Sequence, residues 1–105
     1  MSLSEITFFE RFETDILLGN KTITIRDESE NDYTPNSIVQ VSTYENGRWF
    51  CALKIKSVKA IRFSELSNFH AQQENMTLSE LKDIIHDIYP NVENLYVISF
   101  ELIKS

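Results

Sequence analysis

Polar and apolar residues alternate strictly over Thr22-Ile23-Thr24-Ile25-Arg26, and β-branched side chains fill the run. A period of two predicts a half-buried strand, with Ile23 and Ile25 on one face and Thr22, Thr24 and Arg26 on the other. Ahead of it, Ile6 to Phe8 reads as a short strand. Phe9, Phe12, Ile16 and Leu17 then recur at helical spacing and predict a helix over Glu10 to Leu18. Gly19-Asn20 ends that helix, because glycine enters the left-handed conformation at no steric cost. The polar, acidic stretch Asp27 to Pro35 reads as a loop. Ile38 to Tyr44 is a second strand, and Asn46-Gly47 marks a tight hairpin turn. Trp49 to Ile61 is one long strand, or two separated by a bend.

The pattern turns helical again over Ser64 to Glu74, where it is weak. Thr77-Leu78-Ser79-Glu80 has the form of a capping box, in which the Thr77 hydroxyl and the Glu80 carboxylate each satisfy a backbone N–H of the other. Leu78, Leu81, Ile84, Ile85, Ile88 and Tyr89 follow as an apolar stripe, closed by Pro90. Leu95 to Ile103 is a last strand. The order β-α-β-β-β-α-β has too few helices for a doubly wound sheet. It predicts an α+β fold, a small and mostly antiparallel β-barrel with two or three flanking helices.

Composition narrows the function more than the fold. The chain has 105 residues, which suits one core and predicts a single domain over 1–105. Its formal charge is −6, which disfavours a stable nucleic-acid partner because a net negative chain repels phosphate. One cysteine excludes a disulfide framework, and with two histidines it cannot build a thiolate-rich zinc site. No metal and no cofactor are expected. Met1 to Glu5 lacks a secretory pattern, and no apolar run nears the ~18 residues of a spanning helix. A cytoplasmic, membrane-free monomer is the resulting expectation.

Among residues that could carry chemistry, Lys21, Thr24 and Arg26 stand together directly after the helix stop. Lys21 and Thr24 converge only if Lys21 belongs to the turn. On pattern alone they read as a surface lysine and two polar strand-face residues. Glu74, in Gln72-Gln73-Glu74-Asn75-Met76, reads as solvated on the same basis. His70 and Glu74, four apart, have the spacing of a metal pair on a helix, but no third ligand is evident. Cys51 reads as core. Tyr33 and Trp49 are of a type that stacks on a base, although aromatics in small domains are usually core. Lys54, Lys56 and Lys59 read as a solvated strand face.

Two long blocks of the chain resemble a known family. Ile6-Thr7-Phe8-Phe9, Gly19 and Lys21 through Ser29 are similar to the opening of the small ASCH proteins of the PUA-like superfamily. His70-Ala71, Gln73 through Leu78, and Asp87-Ile88-Tyr89-Pro90 match one subgroup of them, the bacterial N(4)-acetylcytidine amidohydrolases. The resemblance runs from about Ile6 to about Phe100. It implies a β-barrel with flanking helices, and metal-free hydrolysis of the acetamide on the exocyclic amine of acetylcytidine, a small-molecule nucleoside. It also implies three catalytic residues: Lys21 as proton acceptor, Thr24 as nucleophile and Glu74 as proton donor.

The chemistry fits those residue types. Amide hydrolysis needs a nucleophile, a base, an acid for the leaving amine and a stabilised oxyanion. Lys21 serves as base if burial or the nearby Arg26 cation lowers its pKa. Arg26 is also a candidate contact to the substrate carbonyl or oxyanion. If Lys21 and Glu74 pair directly, each favours the charged form of the other, and Glu74 becomes the better base. A PUA-like module that binds RNA or a modified base without turnover is the alternative, since fold alone does not decide function. A regulatory interaction protein is a third.

Overall fold

The structure, a computed structural model, describes residues 4–30 and 32–103. The sequence reading of Met1 to Glu5 and of the loop at residue 31 therefore lies partly outside the described residues. Among the described residues five strands form one sheet: β1 (Glu5–Phe8), β2 (Ile23–Arg26), β3 (Ile38–Thr43), β4 (Trp49–Arg62) and β5 (Asn94–Leu102). Three α-helices flank it: α1 (Glu13–Leu18), α2 (Asn68–Gln73) and α3 (Leu78–Ile88). The spatial order is β1-β3-β4-β5-β2. Three of the four pairings are antiparallel and β1 runs parallel to β3. The α+β, mostly antiparallel, barrel-like reading with three helices is thus correct.

Local differences have local causes. The helix read over Glu10–Leu18 begins as a 3-10 turn, Glu10–Phe12, before α1. The segment read as one helix over Ser64–Glu74 is broken. A 3-10 turn, Phe63–Glu65, is followed by extended Leu66, whose side chain is buried in the core under the helices. β2 is buried on both faces, because Thr24 is only 5% exposed beside fully buried Ile23. Trp49 is exposed rather than core, its Nε1 donating to Gln40 Oε1 at 2.8 Å.

The sheet wraps one core and leans a second on its outer side. Ile6, Phe8, Val41, Leu53, Ile98 and Phe100 belong to the first, joined by Ile16 of α1. Ile23, Ile25, Leu95 and Val97 face the second, roofed by Leu81 and Ile85 of α3 and Ala71 of α2. A register shift between Ile55 and Ser57 bends β4, so its first half serves the inner core and Ile61 reaches the outer one.

Among the described residues β1 and β2 are the two edges, and no ladder joins them. The free edge of β1 is satisfied by side chains instead. Tyr33 Oη donates to the Glu5 carbonyl at 3.0 Å, and Arg26 Nη2 to the Thr7 carbonyl at 2.8 Å. Alternate carbonyls of a strand point to the same edge, so these two bonds mark one seam.

Candidate active site

A cavity of about 230 Å³ opens along this seam. Thr7 and Phe8 of β1 line it on one side and Thr24 to Arg26 of β2 on the other. Phe12, Lys21 and Glu74 also line it, as do Met76, Ile84, Ile88 and Tyr89 at the helical side. Two helix ends deliver Lys21 and Glu74.

α1 stops at Gly19, whose φ is +80°, with Asn20 N–H bonded back to the Asp15 carbonyl at 2.9 Å. Lys21 follows at once, its own N–H on the same carbonyl at 3.2 Å. It precedes β2 rather than belonging to it, so it is freed from strand alternation and shares the cavity with Thr24. α2 ends the same way, with asparagine in place of glycine. Asn75 has φ +58°, while Met76 N–H reaches the Ala71 carbonyl at 3.0 Å and Asn75 N–H the Gln72 carbonyl at 3.0 Å. That is a Schellman closure, and it turns Glu74 inward.

The two ends are stitched together. Thr22 N–H donates to the Gln73 carbonyl at 2.8 Å, and Asn75 Nδ2 to Asp15 Oδ1 at 3.1 Å. Lys21 Nζ pairs directly with Glu74 Oε1. Both side chains are buried, at 3% and 7% exposure, so Glu74 is not the solvated carboxylate its polar neighbours suggest.

The lysine sits in an aromatic setting, with Nζ 5.0 Å from the Phe12 ring centre and 5.7 Å from that of Phe8. Its pKa is lowered to about 7, first by burial and then by the Arg26 cation, with Asp15 pulling the other way. Arg26 holds three partners. Nε donates to Thr24 Oγ1 at 2.9 Å, Nη1 to Glu30 Oε2 at 3.2 Å and Nη2 to the Thr7 carbonyl. The threonine oxygen thus accepts from a cation while its own proton is left to give away.

Lys21, Thr24, Arg26 and Glu74 therefore meet around one cavity. The other residues considered for chemistry lie elsewhere. Cys51 is buried in the inner core, which raises its thiol pKa to about 11. Tyr33 is core, its hydroxyl spent on β1. His70 Nδ1 accepts from the Ser67 N–H at 3.2 Å and so caps α2. Among the described residues no group of three or more His, Cys, Asp or Glu is placed to hold a metal ion. Glu30 and Tyr89 were missed: one sits in an acidic loop, the other at the end of an apolar stripe. Glu30 stands four residues after Arg26, but across a strand end and a loop that spacing predicts no contact, and Tyr89 is 59 positions beyond Glu30. Phe8 and Phe12 were legible only as core.

A model of the ASCH domain matches residues 4–104. The chain is 67% identical over 98 residues to an N(4)-acetylcytidine amidohydrolase of Vibrio atlanticus (strain LGP32), covering 93% of this chain and 94% of that one. It is 54% identical over 101 residues to the N(4)-acetylcytidine amidohydrolase of Shewanella oneidensis, covering 96% and 97%. In three dimensions it resembles the ASCH domain from Lactobacillus crispatus JV V101, with a TM-score of 0.79 at 16% identity over 96% of this chain and 79% of that one. The ASCH protein of Zymomonas mobilis gives a TM-score of 0.74 at 10% identity, over 95% and 69%.

Proposed function

The chain belongs to the ASCH domain family, and from that membership and its curated relatives we propose that it hydrolyses N(4)-acetylcytidine to cytidine and acetate. Thr24 is the nucleophile, Lys21 the base and Glu74 the acid; Arg26 contacts the nucleophile and the oxyanion. The observation that carries this reading is the burial of Lys21 against Glu74 in the cavity that also holds Thr24.

Direct contact between Lys21 and Glu74 reconciles the roles rather than opposing them. An ammonium–carboxylate pair and an amine–carboxylic acid pair differ by one proton moved along the contact. Water favours the charged pair. Burial withdraws solvation from both charges and supports the neutral one. The neutral pair is at once a base beside Thr24 and an acid for the leaving amine.

Lys21 accepts the Thr24 proton as Oγ1 bonds to the acetyl carbon. Arg26 Nε stays on that oxygen while its charge develops, and the guanidinium and new ammonium stabilise the tetrahedral oxyanion. The C–N4 bond then breaks, Glu74 gives its proton to N4, and cytidine leaves. A water next loses a proton to the Glu74 carboxylate and adds its hydroxyl to the Thr24 acetyl ester. The ester C–O bond breaks, Thr24 regains a proton from the Lys21 ammonium, and acetic acid departs and ionises.

The cavity suits a neutral nucleoside. Its volume is below the roughly 300–1,000 Å³ of pockets for drug-sized ligands, and its two cations are already matched by Glu74 and Glu30. The protein acts as a cytoplasmic monomer on a small molecule. Incubating it with N(4)-acetylcytidine and separating the products by chromatography tests the reading. Cytidine and acetate in equal amounts are expected, and Lys21→Ala, Thr24→Ala and Glu74→Ala each lower turnover by roughly 10²–10⁴. Binding with no product would instead mark a recognition module.

A further inference from the structure

Arg26 is held from behind by a chain that the reaction as written does not use. Glu30 Oε2 accepts from Arg26 Nη1 at 3.2 Å and from Tyr89 Oη at 2.7 Å. Tyr89 is the residue just past α3, and Glu30 closes the 3-10 turn that follows β2. Three elements are thus linked as Tyr89–Glu30–Arg26–Thr24, from the helical roof to the nucleophile. Resting on the amidohydrolase reading, we infer that Glu30 and Tyr89 are positioning residues for that reaction: they fix the plane of the Arg26 guanidinium so that its Nε meets Thr24 Oγ1.

The geometry of a guanidinium carries the argument. Its donors lie in one rigid plane, so anchoring two of its nitrogens sets the direction of the third. Nη2 is anchored on the Thr7 carbonyl and Nη1 on Glu30, and these two legs aim Nε. Remove the Glu30 leg and the plane turns about the remaining bonds. Glu30 is itself 40% exposed and would rotate freely without a second donor, which Tyr89 supplies. The Tyr89 hydroxyl keeps its proton throughout the working range, since burial and then Glu30 push its pKa up. As a surface ion pair alone, Arg26–Glu30 would count for little. Its effect comes through orientation, where a displacement of about 1 Å at a reacting group costs on the order of 10²-fold in rate.

The test compares Glu30→Gln and Tyr89→Phe with the wild-type protein, with N(4)-acetylcytidine as substrate. Melting curves and circular dichroism check the fold. The Arg26 Nε–H signal in a proton–nitrogen NMR spectrum reports the guanidinium independently of turnover. Expected for Glu30→Gln is a kcat lower by about tenfold to a hundredfold with KM within about twofold. A smaller kcat loss is expected for Tyr89→Phe, and a displaced Arg26 signal in both. Unchanged kcat in both variants overturns the inference, as does a raised KM at full kcat, which would make Glu30 a binding group. If Glu30→Gln fails to fold, Tyr89→Phe decides by the same criteria. If the wild-type protein shows no turnover, the amidohydrolase reading fails by itself. The Arg26 signal then decides whether the chain orients the guanidinium, a displaced signal supporting it and an unmoved one overturning it.

Discussion

Lys21 controls the pH response of both rate and stability. With its amine titrating at about 7, the base form grows as pH rises through that value. The kcat/KM profile should therefore climb through about pH 7 and fall again where Glu74 loses the proton it must give to N4, and an acid limb far from neutrality would remove Lys21 as the base. Stability follows from the same lowering. Unfolded, the lysine titrates near ~10.4. Between about 7 and that value the unfolded chain binds more protons, so the cost of burying the charged lysine, felt in full below about 7, is relieved and the fold becomes more stable as pH rises across the window. Urea titrations at several pH values measure the slope. Thr24 has its own pair of variants. Thr24→Ser keeps a hydroxyl and should retain activity, whereas Thr24→Val keeps the shape and should retain none; mass spectrometry of quenched Glu74→Gln should find an acetyl group on Thr24. At this scale the residue types were legible and their burial was not. Glu74 stands among glutamines and an asparagine, and it is long-range contacts such as the Thr22–Gln73 backbone bond, 51 positions apart, that bring its helix end against the start of β2.

Elements matter to the site mainly through their ends. Gly19 holds a left-handed φ with open space around its missing side chain, so Gly19→Ala meets strain but no clash. It should cost about 1–2 kcal/mol and lower kcat as well, because Lys21 leaves the helix from that turn. Thr77→Ala is the control. The Thr77 hydroxyl and Glu80 carboxylate each accept a backbone N–H of the other at 3.1 Å. Losing that cap should cost about 1 kcal/mol, seen as a lower melting temperature with kcat unchanged. Both ends were readable, one from Gly-Asn and the other from Thr-x-x-Glu. The end of α2 was not. Asparagine reaches a left-handed φ less freely than glycine, so Gln73-Glu74-Asn75 reads as more helix or as loop, and the inward turn is fixed by packing. β2 was misread on one face for a related reason. In that alternation Thr24 looks solvated, but it is buried where Phe8, Phe12 and the Lys21–Glu74 pair line the same cavity.

For the whole molecule, the hairpin signals made the antiparallel pairs of β3 and β4 evident, while the parallel contact of β1 with β3 had no sequence sign. It joins segments about thirty-five residues apart through a long crossover whose register only the inner core specifies. Net charge of −6 makes a further whole-molecule expectation. KM for a neutral nucleoside should stay nearly constant between about 50 and 200 mM salt, while a phosphate-binding protein would weaken steeply over that range. The unlaced edge between β1 and β2 has a mechanical meaning. A tube slit along its length opens by flexing its lips, and its hoops stay whole. Here the lips are bridged by the Arg26–Thr7 bond at the cavity itself. Widening the slit breaks that side-chain bond and leaves every strand ladder intact, so one guanidinium is both the clasp of the wall and the hand on the nucleophile. A substrate that passes through the slit must loosen the same residue that has to be back in place before its amide can be cut.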